Sequence, residues 1–183
     1  MARRDLAHMI APMRRCLIFT AVLFSLTFAR AGDDNPPVTF ADGDGGVIVS
    51  VTTSVAGSDL RFVAEYSKPI KSYLKDPYDN VALDFHIDTD NNPATGDKQM
   101  PDSRRGTDVM VMAVVRGPRK DAKAEGVIVT RDNKMMKTDA RLKVSTNTIT
   151  VSVPLSDLKV QKGQRIRLVI GVEGQLLEQT LKL

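Results

Sequence analysis

Residues 81–96 read VALDFHIDTDNNPATG, and after a polar interval residues 109–115 read VMVMAVV. In the first stretch apolar and polar side chains alternate, which is the period of a half-buried strand. The side chains expected to face a core are those of Val81, Leu83, Phe85 and Ile87. The second stretch is apolar on both faces, as is typical of a central strand covered on each side. The two stretches therefore predict neighbouring strands within a larger sheet.

Seven other segments have strand-like alternation or lie between turn-forming residues. They are residues 47–55, 60–66, 127–130, 140–145, 149–153, 165–172 and 176–183. In the first of these, the odd-numbered residues from Val47 to Val55 are predicted to share one face. Pro154 suits a strand exit, and residues 154–158 are expected to form one helical turn. About nine short strands predict an all-β fold, an antiparallel two-sheet β-sandwich of jelly-roll type.

The N-terminus has the pattern of a secretory signal. Arg14 and Arg15 precede an apolar run over residues 17–28, and the small residues of a cleavage site follow at Ala29-Arg30-Ala31. The apolar run is too short to cross a bilayer comfortably. We predict a signal over residues 1–31, with Met13 as an alternative start, and one domain over residues 32–183. That domain would lie in the periplasm or outside the cell, with no membrane span.

The formal net charge of the whole chain is +4, and the predicted signal holds five arginines and one aspartate. The remaining domain is therefore near neutral, and a nucleic-acid partner is not predicted. Cys16, the only cysteine, also lies in the signal. The exported domain would depend on its core instead of on disulfides, with a bound metal as a supplement.

The segment that follows the strand at residues 81–87 is rich in side-chain oxygen. Asp88, Asp90 and Asn92 are spaced two apart, as in the first half of an EF-hand calcium loop. The second half differs, because Pro93 replaces the required glycine and Gln99 replaces the glutamate ligand. No helix is predicted on either side. A helix-loop-helix calcium sensor is therefore not predicted.

A further anionic ligand would have to come from another part of the chain. Asp108 is the favoured donor, because a hairpin would return it beside Asp88, while Asp97 and Asp102 remain open as alternatives. Ca²⁺ takes about six to eight oxygen ligands, and crowded carboxylates repel each other unless a cation lies among them. We predict a structural Ca²⁺ here, with Na⁺ and Mg²⁺ less favoured. The competing interpretation is a hairpin of Asx turns without any metal.

These residues resemble a motif of exported bacterial β-sandwich domains related to DOMON domains and family 9 carbohydrate-binding modules. In that family an apolar strand ends in Asp-x-Asp-Asn-x-Pro-x-Thr-Gly, and Gly-x-Asp opens a later strand. The matching residues are Asp88, Asp90, Asn91, Pro93, Thr95, Gly96, Gly106 and Asp108. The resemblance implies a sandwich whose strand ends are supported by Ca²⁺. It also implies a ligand set, which is Asp88, Asp90 and Asp108 with Asn92 and Thr95 as further members.

Sugar-binding members of that family stack sugars on aromatic platforms, usually tryptophan, and this chain has no tryptophan. Tyr73 and Tyr78, in a long loop predicted over residues 68–79, are the candidate exposed stackers. Asp84 and His86 could form a ligand face together with Arg61, Arg165 and Arg167. A plain solvated sheet face is favoured instead, with His86 as a surface histidine whose cation the flanking aspartates stabilise.

Haem binding is an alternative function, because some DOMON-like domains ligate haem through Met and His. Met100, Met110 and Met112 lie near His86 in the sequence, although methionines at period two more often pack in a core. An enzyme is not predicted, since one histidine and no cysteine outside the signal leave no Ser/His/Asp or Cys/His set. The sequence predicts a monomeric, exported binding or interaction module, whose ligand could be a glycan or another exported protein.

Overall fold

The computed structural model describes residues 38–39, 47–118, 125–172 and 175–183. The predicted signal, its cleavage site and the alternative start at Met13 lie outside these ranges. Within them the regular secondary structure is almost entirely β-strand, as the alternation predicts. None of the helices described here has the length and apolar character needed to cross a membrane.

Eleven strands occur in the described ranges. The strands are β1 (Val38–Thr39), β2 (Ile48–Ala56), β3 (Asp59–Tyr66), β4 (Asn80–Asp88), β5 (Val109–Arg116), β6 (Glu125–Arg131), β7 (Lys134–Met135), β8 (Arg141–Val144), β9 (Thr148–Pro154), β10 (Arg165–Val172) and β11 (Gln175–Lys182). The longest connections described lie between β3 and β4 and between β4 and β5. One helical turn, α1 (Leu155–Leu158), follows β9 as predicted, and 3₁₀ turns lie at Ile70–Tyr73 and Asp102–Arg104.

The strands form two antiparallel sheets. Sheet A has the order β1-β2-β3-β9-β8, and sheet B has the order β11-β10-β4-β5-β6-β7. All nine predicted strands are present, and the two-residue strands β1 and β7 add to them. The predicted two-sheet β-sandwich is confirmed.

The core lies between the sheets and is built from alternate residues of each strand. The four side chains of β4 that were expected to face it are all buried. Phe85 of β4 stacks on Phe62 of β3, with ring centroids 4.1 Å apart and ring planes 13° apart. Fully burying such a side chain stabilises a fold by about 1.5–3 kcal/mol. Because β3 and β4 belong to different sheets, this stack joins the two layers near their centres.

The predicted face assignment is wrong at the start of β2. Val49 is 42% exposed, whereas Ile48 is only 5% exposed. Ile48 lies opposite Tyr66 and Ser50 lies opposite Glu65, so Val49 is an extra residue in the pairing with β3. This β-bulge reverses the inward and outward pattern on its N-terminal side. The odd-numbered residues beyond the bulge keep the predicted face.

The connection between β3 and β4 closes one end of the sandwich. Its 3₁₀ turn inserts Ile70 into the core. The Ile70 N–H donates to the carbonyl of Thr146 at 2.8 Å, and the Ser67 N–H donates to the carbonyl of Val47 at 3.0 Å. The predicted long loop is therefore attached to the strands beside it.

The connection between β4 and β5, residues 89–108, lies at the other end of sheet B. Part of it folds back over the outer face of the sheet, where Met110 and Met112 of β5 are half-buried. The prediction that β5 is covered on both sides is thus met fully on the inner face and only in part on the outer face.

Candidate metal centre

The candidate centre lies where β4 ends and β5 begins. Ile87 pairs with Val109, so the connection leaves and rejoins the sheet at neighbouring points. The Asp108 N–H donates to the carbonyl of Ile87 at 2.9 Å. The backbone N–H and the hydroxyl of Thr89 both donate to Asp108 Oδ2, at 2.8 and 2.6 Å. These contacts bring Asp108 beside Asp88, as the hairpin argument predicts.

Carboxylate oxygens of Asp88, Asp90 and Asp108 lie within 4.8 Å of one another. Asp88 is 2% exposed, Asp108 is half-buried and Asp90 is exposed. Three carboxylates this close repel each other unless a positive charge lies among them. The cluster could therefore hold a metal ion.

The surroundings of Asp88 are poor in hydrogen-bond donors. Its Oδ1 accepts a hydrogen bond from the Asn92 N–H at 3.0 Å, while its Oδ2 is buried without a partner in the described part of the chain. Burial raises the pKa of Asp88 to about 6; the Asn92 N–H opposes this rise, and the neighbouring Asp90 and Asp108 add to it. A buried anionic oxygen without a donor is costly, and a bound cation would remove that cost.

Two glycines allow the two arms of the connection to approach each other closely. Gly106 has φ +85°, and a Cβ there would lie 2.7 Å from Asp88 Oδ2 and 2.7 Å from Pro93 Cα. Gly96 has φ +73°, and its Cβ would lie 2.6 Å from the Thr107 carbonyl oxygen. A larger residue would be strained at either position. The glycines in the sequence motif therefore have a steric role beside the carboxylate cluster.

Asn92 and Thr95, the two further predicted ligands, shape the loop around Asp90. The Asn92 side-chain oxygen accepts a hydrogen bond from the Ala94 N–H at 3.1 Å, and the Asn92 N–H is also 3.0 Å from Asp90 Oδ1. The Thr95 hydroxyl lies 3.0 Å from both Asp90 carboxylate oxygens. The Asx turns of the competing interpretation are thus present together with the carboxylate cluster. A direct ligand role for Asn92 and Thr95 stays a prediction.

The alternative carboxylate ligands do not join the cluster. Asp97 Oδ1 accepts a hydrogen bond from the Gln99 N–H at 2.8 Å. Asp102 is exposed and forms an ion pair with Arg105. Asp108 is therefore the third carboxylate of the group.

His86 was expected on the surface, and that prediction is wrong. It is 2% exposed, and its Nε2 lies 3.4 Å from Nη1 of Arg104, in the 3₁₀ turn of the connection. Burial, with a smaller contribution from the charge of Arg104, lowers the pKa of His86 to about 4. The ring is therefore neutral at pH 7, and the predicted stabilised cation is wrong too. The cause is that the connection covers this part of sheet B.

Asp84 lies two residues earlier on the same outer face and is half-buried. Burial raises the pKa of Asp84, and the charge of Arg104 opposes this rise. The predicted polar row is only partly brought together, because Arg61 belongs to β3 in sheet A. Asp84 and His86 thus lie beneath or beside the connection, and a solvated face does not describe this part of the sheet.

Arg167 of β10 fastens the connection to sheet B. Its Nη1 donates to the carbonyl of Arg105 at 2.6 Å, and its Nε and Nη2 donate to the Glu178 carboxylate at 2.6 and 2.9 Å. The hydrogen bond to Glu178 raises the pKa of Arg167, and the same contact lowers the pKa of Glu178. In the register between β10 and β4, Arg167 is the residue opposite Asp88. A fixed positive charge therefore lies on the strand next to the cluster, and sequence reasoning gave Arg167 no such role.

The two tyrosines predicted as exposed stackers have different surroundings. Tyr78 is 82% exposed. Tyr73 is half-buried, with its ring centroid 6.1 Å from that of Tyr66 and its hydroxyl 3.2 Å from Ser67 Oγ. The expected exposure is wrong for Tyr73, because its ring packs on Tyr66 at the end of β3.

No protein-family model, curated protein or solved structure matches this chain. The resemblance to DOMON-like and family 9 carbohydrate-binding domains stays a prediction.

Proposed function

We propose that the chain is an exported, non-enzymatic binding or interaction module whose sandwich is braced by one Ca²⁺ at Asp88, Asp90 and Asp108. The observation that carries the proposal is the closeness of these three carboxylates, whose oxygens lie within 4.8 Å of one another. In addition, Oδ2 of Asp88 is buried and lacks a donor among the described residues. A cation there would offset the repulsion among the three charges.

The donor set favours calcium over softer metals. All three side chains offer oxygen, which suits hard cations, and Ca²⁺ accepts about six to eight oxygens in flexible geometry. Backbone carbonyl groups, water and the side chains of Asn92 or Thr95 are the natural sources of the remaining oxygens. Mg²⁺ fits less well, because it demands a near-ideal octahedron.

The position of the cluster supports a structural role. Asp88 ends β4, Asp108 precedes β5, and Asp90 lies in the connection between them. One ion would therefore tie two central strands of sheet B to their connection. The carboxylates lie together on one hairpin rather than across a cleft. His86, the only histidine outside the predicted signal, is buried and neutral beside Arg104. Both facts favour a non-enzymatic module.

Thermal unfolding with calcium and with a chelator tests the proposal. Because Ca²⁺ binds the native state, a concentration of 100 times its Kd would add about 2.7 kcal/mol to the free energy of unfolding. For a domain of this size that corresponds to an increase of about 5–10 °C in the unfolding midpoint. Equal midpoints in calcium and in chelator would overturn the calcium proposal.

Matched variants test whether the calcium response depends on the carboxylate cluster. Asp88→Asn and Asp108→Asn are expected to lose the calcium response, while Asp102→Asn, which removes an exposed carboxylate outside the cluster, keeps it. In chelator at pH 7, Asp88→Asn should be at least as stable as the wild type, because it removes one of three mutually repelling charges. That result would show that the lost response is not a folding defect.

The alternative ligands gain less support from the geometry. For carbohydrate binding, Tyr78 offers one exposed aromatic side chain. Glycan-array binding of the wild type and of Tyr78→Ala tests this alternative. Haem ligation would require His86 to leave its buried position beside Arg104, and a Soret band in the purified protein would reveal it.

A further inference from the structure

A second feature lies at the other end of the sandwich. There, a half-open cavity of about 540 Å³ is lined by β5, by the end of β8 and by the connection between β3 and β4. Strand β4 runs from this end to the carboxylate cluster, and its nine residues span roughly 25–30 Å. The volume is within the range of roughly 300–1,000 Å³ that small-molecule sites occupy. The cavity is thus large enough for a ligand and is separate from the candidate metal centre.

The walls of this cavity are aliphatic. Ile70 and Val115 are buried core residues, and Leu74 and Val144 are half-buried against the same core. Side chains of the apolar core therefore form part of the cavity wall. No aromatic side chain is among the lining residues that the structure describes, so this surface suits an alkyl chain better than the face of a sugar ring.

The remaining lining residues include two with cationic side chains. Lys71 and Arg116 are exposed, and neither forms an ion pair with a carboxylate in the described ranges. None of the lining residues in the described ranges is acidic. The acids of the adjoining loop are engaged within it: Asp76 Oδ1 accepts from the Tyr78 N–H at 2.9 Å, and Asp79 Oδ2 accepts from the Asp76 N–H at 2.7 Å. The cavity thus combines an apolar interior with unpaired positive charge.

We infer that this cavity binds a free aliphatic carboxylate, the chemical class of a fatty-acid anion. The alkyl chain lies against the four aliphatic side chains, and the carboxylate lies at Lys71 and Arg116, with the hydroxyl groups of Ser145 and Thr146 also in the lining. Burial of the chain supplies affinity, and charge complementarity selects an anion over a neutral molecule. The inference rests on the proposed function as a binding module and names its ligand class.

Isothermal titration of the protein, recovered after export from cells that express the full chain, tests the inference. The probes are hexanoate, octanoate and decanoate, with 1-octanol and octylammonium as neutral and cationic controls. We expect saturable binding of one carboxylate per chain, with affinity that rises about fourfold for each added methylene that is buried. Both control ligands should bind more weakly than octanoate. No saturable carboxylate binding, or equal affinity for 1-octanol, would overturn the inference.

Variants tie the binding to this cavity. Lys71→Ala and Arg116→Ala should each weaken octanoate binding about fivefold, and Leu74→Phe should weaken it by filling the space. Lys143→Ala removes an exposed cation adjacent in sequence to Val144 but outside the lining, and it should leave the affinity unchanged. Equal effects of Lys143→Ala and Arg116→Ala would contradict the assignment.

The thermal response to calcium, measured on the same samples, separates the two proposals. Carboxylate binding without a calcium response would overturn the calcium proposal and support this inference. A calcium response without carboxylate binding in a folded protein would overturn this inference alone.

Discussion

Replacement of Gly106 by alanine is expected to destabilise the domain more than the same replacement at Gly57. Both glycines have positive φ, +85° and +66°, but a Cβ at Gly57 would meet nothing within 4 Å. At Gly106 the same atom would lie 2.7 Å from Asp88 Oδ2 and from Pro93 Cα. Gly57→Ala therefore isolates the conformational cost, and Gly106→Ala adds the cost of the close approach.

The expected magnitudes follow from these two contributions. The left-handed conformation costs an alanine about 1–2 kcal/mol relative to glycine, which is the whole effect expected at Gly57. Overpacking adds about 1–3 kcal/mol at Gly106, since one of the opposing atoms belongs to the backbone and cannot easily move. For a domain of this size, the extra cost lowers the unfolding midpoint of Gly106→Ala by about 2–12 °C relative to Gly57→Ala.

Chemical and thermal unfolding, each in calcium and in chelator, provides the assay. Gly106→Ala should also lose the calcium response, because its Cβ displaces the buried carboxylate oxygen of Asp88. Equal free energies of unfolding for the two variants in chelator would refute the close packing around Gly106. A full calcium response in Gly106→Ala would refute the placement of Asp88 in the metal centre.

Three other outcomes are expected. In chelator, lowering the pH from 6.5 to 4 should destabilise Asp88→Asn more than the wild type. Both proteins lose the stability that the lowered pKa of His86 gives above its ordinary pKa. Only the wild type also gains stability as Asp88, whose pKa is raised to about 6, takes up its proton in the folded state. His86→Gln should show the opposite trend relative to the wild type, because it keeps the gain from the raised pKa of Asp88 and lacks the loss at His86. Parallel pH profiles of stability for both variants would contradict this pair of assignments. Arg167→Gln should release the connection from sheet B and speed trypsin cleavage at Arg104 and Arg105. Glu178→Gln leaves the hydrogen bond from Arg167 to Arg105 in place and should have a smaller effect on cleavage. Equal cleavage rates in the wild type and in Arg167→Gln would contradict this role of Arg167. Tyr73→Ala should lower the free energy of unfolding by about 2 kcal/mol, and Tyr78→Ala should lower it by less than about 0.5 kcal/mol. A larger loss for Tyr78→Ala than for Tyr73→Ala in urea unfolding would contradict the burial of Tyr73.

Features set by local pattern could be predicted from the sequence. The alternation over residues 81–87 specifies a strand with one buried face, whatever lies opposite it. The return of Asp108 beside Asp88 follows from hairpin geometry, because the two strands flanking the connection are consecutive in the chain. Turn residues at regular spacing likewise predicted nine strands and the sandwich class.

Features set by distant parts of the chain could not be predicted in this way. The bulge at Val49 is a property of the pairing between β2 and β3. A one-residue change of register cannot be recognised from the alternation of apolar and polar residues in β2 alone. The burial of His86 depends on how the connection folds over the sheet. The position of Arg167 beside Asp88 depends on pairing between β4 and β10, which are far apart in sequence.

The order of strands in the two sheets constrains how the chain can fold. Sheet A is completed when β9 pairs with β3, and sheet B is completed when β10 pairs with β4. Both of these central joins require residues after Asn147. A nascent chain that lacks this segment can form its hairpins but can complete neither sheet, and non-local joins of this kind slow folding. The C-terminal strands thus act as the closing elements of both sheets, so a chain truncated before β9 would leave β3 and β4 as unpaired, aggregation-prone edges.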